Sequence, residues 1–215
     1  MNLVLINHQP RVLLYRKKYQ VAKRMMDVTL CLLFLPFALF AMAICAVAIR
    51  LDSAGPIIFT QERTGKGGRR FRMYKFRTML PNAEELKQKY AHLNELTWPD
   101  FKITNDPRIT RVGRILRKTS LDELPQIFNI LKGEMSLVGP RPTSFSVQTY
   151  TLWQTERLEV LPGITGLWQV SGRSDISYEE RVRLDMHYIR NWSIWLDLQL
   201  LLQTIPAAIR GKGAY

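Results

Sequence analysis

The sequence predicts an α+β protein, predominantly helical with a short β-hairpin, carrying an N-terminal helix that enters a membrane and is kinked at a proline. Three observations predict it: an uncharged run from Val28 to Ile49, two β-prone runs flanking a glycine turn at 65–68, and helical patterning through most of the remainder. A chain of 215 residues is long enough for one domain with a sizeable core, and not comfortably for two.

The run "VTLCLLFLPFALFAMAICAVAI" holds 22 residues without a charge, about 33 Å if wholly helical. A core helix of that length normally shows a polar face, and this run shows none. The "AMA" at 41–43 resembles a signal-peptide cleavage pattern, but the basic segment before the run is overlong for one. Pro36 removes a backbone hydrogen bond in mid-run, so a kink or break is expected there, and the arms 28–35 and 37–49 are each too short to cross a bilayer. Both flanks are basic, with Lys17, Lys18, Lys23 and Arg24 on one side and Arg50 and Arg63 on the other. A spanning helix would leave one cationic flank outside; a re-entrant helix keeps both inside. Residues 1–27 then form a basic interfacial leader, 28–49 a re-entrant membrane helix, and 50–215 a cytoplasmic domain with interfacial helices.

After Gly55-Pro56 come a β-prone run, the turn at Gly65 to Gly68 and a second β-prone run bearing Arg69, Arg70, Arg72, Lys75 and Arg77. The "GKGG" of the turn lacks the spacing and hydroxyl residue of a phosphate-binding P-loop. The stretch 81–96 is polar and helix-prone. In "NDPRITRVGRILRK", Asp106 is expected as N-cap and Pro107 at the first helical position, with Ile109, Val112 and Leu116 on the apolar face. "VGPRP" holds Arg141 between two prolines, a rigid presentation, and 161–175 reads as a functional loop rich in turn residues. The segment 192–209 is apolar nearly all round, as for a helix docked on the core or lying at an interface.

The net charge of +13 predicts an anionic partner: nucleic acid, a phosphorylated ligand or a membrane surface. Cys31 and Cys45 lie inside the apolar run with no partner pattern, so neither a disulfide framework nor a zinc site is expected. His8, His92 and His187 sit in unrelated contexts.

Against this basic background stand two adjacent acids, Asp122 and Glu123, in "RKTSLDELPQ". Capping alone would account for them, since Ser120 and Glu123 form a capping-box pattern and Asp122 falls where a helix dipole favours negative charge. A carboxylate at a helix start beside arginines can also bind Mg²⁺ while the arginines neutralise a diphosphate, and these are the parts phosphoryl transfer needs.

Four motifs in order, "KFRTM" (75–79), "DPRITRVGRILRKTSLDELPQ" (106–126), "GEMSLVGPRP" (133–142) and "PGITGLWQVSGR" (162–173), closely resemble the bacterial sugar transferase family, the monotopic polyprenyl-phosphate phosphoglycosyl transferases. The likeness runs from about Val21 to Arg210. It implies transfer of a sugar 1-phosphate from a UDP-sugar donor to undecaprenyl phosphate, with release of UMP, at the cytoplasmic face of the bacterial inner membrane, as a first step of exopolysaccharide or O-antigen synthesis. It implies Mg²⁺ as cofactor, and catalysis by Asp122 as nucleophile and metal ligand with Glu123 as its partner. It places phosphate-binding roles on Arg117 and Arg141, an active-site lysine on Lys75 and a donor-loop arginine on Arg173. Where some members have Ser-Pro at the helix break this chain has Leu35-Pro36, so no serine hydroxyl acts there. The chain is expected to be a minimal catalytic unit transferring glucose or galactose 1-phosphate. A non-catalytic basic protein of the membrane surface or of nucleic acid is the competing expectation; it gives no reason for an acid pair among arginines, and no nucleic-acid-binding signature is present.

Overall fold

In a computed structural model of the chain, residues 17–95, 103–172 and 176–210 are described. The first element, α1 (Lys17–Asp52), takes in the whole apolar run together with part of the expected leader. Pro36 lies inside it, and the helix continues through the proline as one element, so the two expected arms are not separated by a gap. Loss of one backbone bond leaves the turns on either side intact.

The expected hairpin follows as β1 (Ile58–Thr64) and β2 (Arg70–Phe76), antiparallel, with Ile58 opposite Phe76 and Thr64 opposite Arg70. The polar excursion contains a helix shorter than expected, α2 (Ala83–Lys89). The arginine-rich helix, α3 (Arg111–Thr119), begins later than Asp106 and Pro107 suggest. Thr110 is its N-cap, accepting from the Gly113 amide at 3.0 Å, while Asp106 is buried in an ion pair with Arg108 at 2.7 Å. The threonine caps the helix because Asp106 is committed to Arg108, whose guanidinium and backbone amide both donate to it.

Then come α4 (Gln126–Lys132), β3 (Ser136–Val138), β4 (Gly163–Thr165), α5 (Leu167–Ser171), α6 (Tyr178–Arg190) and α7 (Ile194–Arg210). Strands β3 and β4 pair in parallel, so part of the region expected as a loop at 161–175 is strand and helix. The "VGPRP" segment leaves β3 directly.

Two cores organise these elements. Cys31, Met42, Cys45 and Ile49 of α1 join Met73 and Phe76 of β2, Leu116 of α3, and Ile127 and Ile130 of α4. Both cysteines are buried and free. The second core gathers Val138, Tyr188, Ile189, Trp192 and Leu200. Helix α3 lies against the strand end at Thr78 because Gly113 lets it: a Cβ there would stand 2.1 Å from the Thr78 carbonyl oxygen.

Both flanks of α1 are tied to the globular part. Lys23 pairs with Asp197 of α7 at 2.7 Å. Arg24 donates to the Ile130 and Leu131 carbonyls, capping the C-terminal end of α4, and Asp27 accepts from the Leu137 amide at 3.1 Å. At the far flank Asp52 accepts from the Val112 amide at 3.0 Å, at the N-terminal end of α3. Between 32 and 41 no residue is buried, and Leu33, Phe34, Phe37 and Phe40 are well exposed.

Candidate active site

Helix α3 ends at Ser120, which adopts a left-handed conformation (φ 58°) and turns the chain into a short 3₁₀ segment, Leu121–Glu123. A non-glycine residue held there is strained, and such strain persists where the surroundings fix it. The capping-box expectation fails on this geometry: the Ser120 side chain caps nothing, and the Glu123 side chain turns away to basic partners.

Those partners arrive from two other elements. Lys75, near the end of β2, reaches Glu123 Oε1 at 2.8 Å and Asp122 Oδ2 at 3.8 Å. Arg141, from the loop after β3, forks onto Glu123, with Nη2 2.5 Å from Oε1 and Nη1 3.3 Å from Oε2. The Arg141 side chain remains 32% exposed, so the cation has an edge open to solvent. Arg117, one turn before Ser120, is fixed by donating Nε to Thr78 Oγ1 at 2.9 Å. The structure therefore brings together five of the residues expected from sequence: Lys75, Arg117, Asp122, Glu123 and Arg141. Arg173 lies outside the described residues.

The two acids have different surroundings. Burial alone would raise the Glu123 pKa, but Arg141 and Lys75 outweigh it and hold the carboxyl far below the usual range. Glu123 is thus a fixed anion consumed by its two cations. Burial raises the Asp122 pKa, Lys75 opposes that rise, and the Glu123 charge adds to it. Among the described residues Asp122 accepts no hydrogen bond, and its side chain keeps 12% exposure. It is the carboxylate left available for an incoming atom.

Sequence reasoning passed over Arg63, which appeared there only as a flanking charge. Its guanidinium lies near Arg141 and Glu123, donates to Gln61 and approaches the Pro142 carbonyl at 3.5 Å. Burial first and Arg141 second pull its pKa down to about 10. Arg157 and Asp185, which stand behind the Arg141 loop, carried no sequence signal at all.

A divalent ion fits here only in one manner. Among the described residues no group of three or more His, Cys, Asp or Glu side chains is placed to cage a metal. Magnesium, however, is commonly held by one or two carboxylates with the remaining positions filled by substrate phosphates and water. Asp122 has the free oxygens for that role and Glu123 does not.

The bacterial sugar transferase family profile matches residues 18–211. The chain belongs to this family. It is 46% identical over 209 residues to a galactosyl transferase, CpsE, of Streptococcus agalactiae, covering 93% of this chain and 45% of that protein. It is 44% identical over 207 residues to the undecaprenyl-phosphate galactose phosphotransferase of Salmonella typhimurium, covering 94% of this chain and 43% of that one. The exopolysaccharide production protein ExoY of Rhizobium meliloti is 41% identical over 204 residues, with 91% of this chain and 88% of ExoY aligned. The chain thus spans less than half the length of CpsE and the Salmonella transferase, and nearly all of ExoY.

Proposed function

We propose that this sugar transferase moves a hexose 1-phosphate from a UDP-sugar to undecaprenyl phosphate, releasing UMP, in exopolysaccharide or O-antigen synthesis. The observation that carries the reading is the difference between two adjacent acids: Glu123 accepts close hydrogen bonds from Lys75 and Arg141, while Asp122 beside it accepts none among the described residues and meets Lys75 only at 3.8 Å. The names of relatives support the substrate class, with galactose and glucose both represented.

In the first step an Asp122 carboxylate oxygen attacks the sugar-bearing phosphorus. The bond from that phosphorus to the bridging oxygen breaks, and UMP leaves with the electron pair. In the second step a phosphate oxygen of undecaprenyl phosphate attacks the same phosphorus, the aspartyl oxygen leaves, and Asp122 is regenerated. Division into two steps suits a soluble donor and a membrane-bound acceptor that need never meet, and its kinetic signature is ping-pong. Arg141, through its open edge, and Lys75 bind the non-bridging oxygens; Arg117 and Arg63 add positive potential. Asp122 is the residue that would hold a Mg²⁺ together with donor phosphates, and the ion would supply further charge neutralisation.

For topology we infer a re-entrant α1 with both flanks on the cytoplasmic face of the inner membrane, bent at Pro36. Its support is that Asp27 and Asp52 both bond to the same globular body, while the exposed apolar stretch 32–41 lies between them. A span would place roughly 30 Å of hydrocarbon between these aspartates, and one globular body could not then bond to both. Cysteines introduced at Asn7 and Lys212 are expected to label alike in oriented vesicles; opposite accessibility would establish a span.

The catalytic reading is tested by mixing the protein with Mg²⁺ and UDP-galactose or UDP-glucose, without lipid acceptor, and recording the intact mass. A hexose-phosphate adduct on the wild type that is lost in Asp122→Asn is expected. Sequential kinetics with no adduct under any quench condition would leave Asp122 as a metal ligand only.

A further inference from the structure

The loop that presents Arg141 is held from behind by a residue that touches neither acid. Arg157, from the 3₁₀ segment Leu152–Leu158, directs Nη2 to two acceptors at once: the Arg141 carbonyl oxygen at 3.0 Å and Asp185 Oδ2 of α6 at 2.6 Å. Both side chains are buried, 5% exposed for Arg157 and 1% for Asp185. A shallow recess beside the loop is lined by Thr64, Pro140, Arg141, Tyr150 and Arg157 among others.

We propose that the Arg157–Asp185 pair is a positioning device for donor binding, fixing the Arg141 backbone so that its guanidinium meets both Glu123 and the donor diphosphate in one geometry. This rests on the proposed activity. Asp185 aims the guanidinium, and the guanidinium aims the carbonyl of the residue whose side chain does the binding. Both contacts come from Nη2, whose two hydrogens are fixed in the guanidinium plane; a lysine at 157 retains a charge for Asp185 but carries it on a flexible stem without that fixed aim at both partners. Without this tie the Arg141 fork onto Glu123 loosens, and Lys75 alone is left to hold the glutamate.

The same two elements carry a second tie that provides the comparison. Arg190 of α6 forks onto Glu156, the residue next to Arg157, with both contacts at 3.0 Å, and among the described residues Arg190 makes no hydrogen bond to the 139–143 loop. If Arg157 serves only to join the 3₁₀ segment to α6, loss of either tie has the same consequence. If it positions Arg141, the consequences separate.

The experiment uses the full chain in lipid nanodiscs and measures UMP release, the dissociation constant for UDP and the melting temperature. Arg157→Lys and Asp185→Asn are expected to weaken UDP binding and lower kcat/KM by tenfold or more. Arg190→Met is expected to lower the melting temperature while kcat/KM stays within about threefold of wild type. In an Arg141→Lys background, Arg157→Lys should add less than threefold to the loss of UDP affinity, because both changes remove the same contact. Equal losses of affinity in Arg157→Lys and Arg190→Met, or full additivity with Arg141→Lys, would overturn the positioning role. If Asp185→Asn does not fold, Arg157→Lys decides alone, since it keeps a charge beside Asp185. A wild type that binds UDP but releases no UMP counts against the proposed activity and leaves the affinity comparison standing.

Discussion

Two buried charge clusters lie within this small fold, and they are built on opposite plans. At the base of α1, Asp197 is wholly buried and receives Lys23 at 2.7 Å, the Tyr188 hydroxyl at 2.7 Å and the Trp192 indole at 3.3 Å. Its donors close around one carboxylate. Around the 121–123 turn, two carboxylates stand among four cations, Lys75, Arg63, Arg117 and Arg141, so the formal sum is +2. A closed cluster contributes to architecture. An open one with surplus positive charge, whose basic groups at 63 and 117 are pulled down in pKa by burial, is poised for an anion of about two charges. The contrast, more than either cluster alone, separates anchor from candidate active site.

The largest effect that sharpens this contrast is expected from Asp122→Asn. The amide preserves shape and leaves Glu123 engaged with Lys75 and Arg141, so folding should hold while the attacking oxygen is lost. UMP release, with and without acceptor, should fall by roughly a thousandfold or more. An Asn variant with near-normal turnover would mean that the available carboxylate is not the reacting one.

In the anchor cluster the effect should fall on stability instead. Lys23→Met leaves Asp197 buried without its cation, an arrangement that costs about 3–5 kcal/mol. Denaturation should show the loss, whereas kcat/KM of the protein that remains folded should stay within about threefold. A specific collapse of kcat with unchanged stability would erase the distinction between the clusters.

A smaller effect is expected from Arg141→Lys. Charge is kept, but the fork onto Glu123 and the donor is not, so kcat/KM should drop by about 10- to 100-fold, largely through KM for the UDP-sugar. An equal loss in Arg141→Ala and Arg141→Lys would say that geometry matters more than charge; a harmless Arg141→Lys would say the reverse.

What the sequence revealed and what it concealed divides along physical lines. The hairpin and the long apolar helix were legible because periodicity and turn glycines are local properties of the chain, whereas the grouping of Lys75, Arg117, Asp122, Glu123 and Arg141 was implied by the resemblance of the ordered motifs to a known family. The start of α3 was misplaced because Asp106 has the chemistry of an N-cap but spends it on Arg108, a competition that spacing does not rank. The capping-box pattern at Ser120 and Glu123 misled for the same reason: a glutamate offered two cations from distant segments takes them in preference to a nearby amide. Arg63, Arg157 and Asp185 were hidden because what places them near the candidate site is tertiary: Arg63 lies near Arg141 and Glu123, Arg157 bonds to the Arg141 carbonyl, and Asp185 bonds to Arg157.

The Arg157–Asp185 pair lies between the two plans, closed like the anchor yet seated behind the active site, and it offers the finest test of the contrast. Burial pushes the Asp185 carboxyl up to about 6, against the opposing pull of Arg157. In the unfolded chain the same group loses its proton near the ordinary aspartate value of about 4. Between these two values the folded state holds a proton that the unfolded state has released. Stability therefore falls as pH rises through the window, with the contribution of neutral Asp185 fully present below about pH 4 and gone above about pH 6. This is the reverse of the usual acid-denaturation slope. The effect is on the order of 1 kcal/mol per pH unit inside the window. Chemical denaturation of wild type and Asp185→Asn at several pH values from 4 to 8 isolates it. The stability of the wild type relative to the asparagine variant should decline from pH 4 to pH 6 and then level off. A relative stability that climbs with pH would show the Arg157 charge dominating burial, and would move this pair fully into the company of Lys23 and Asp197.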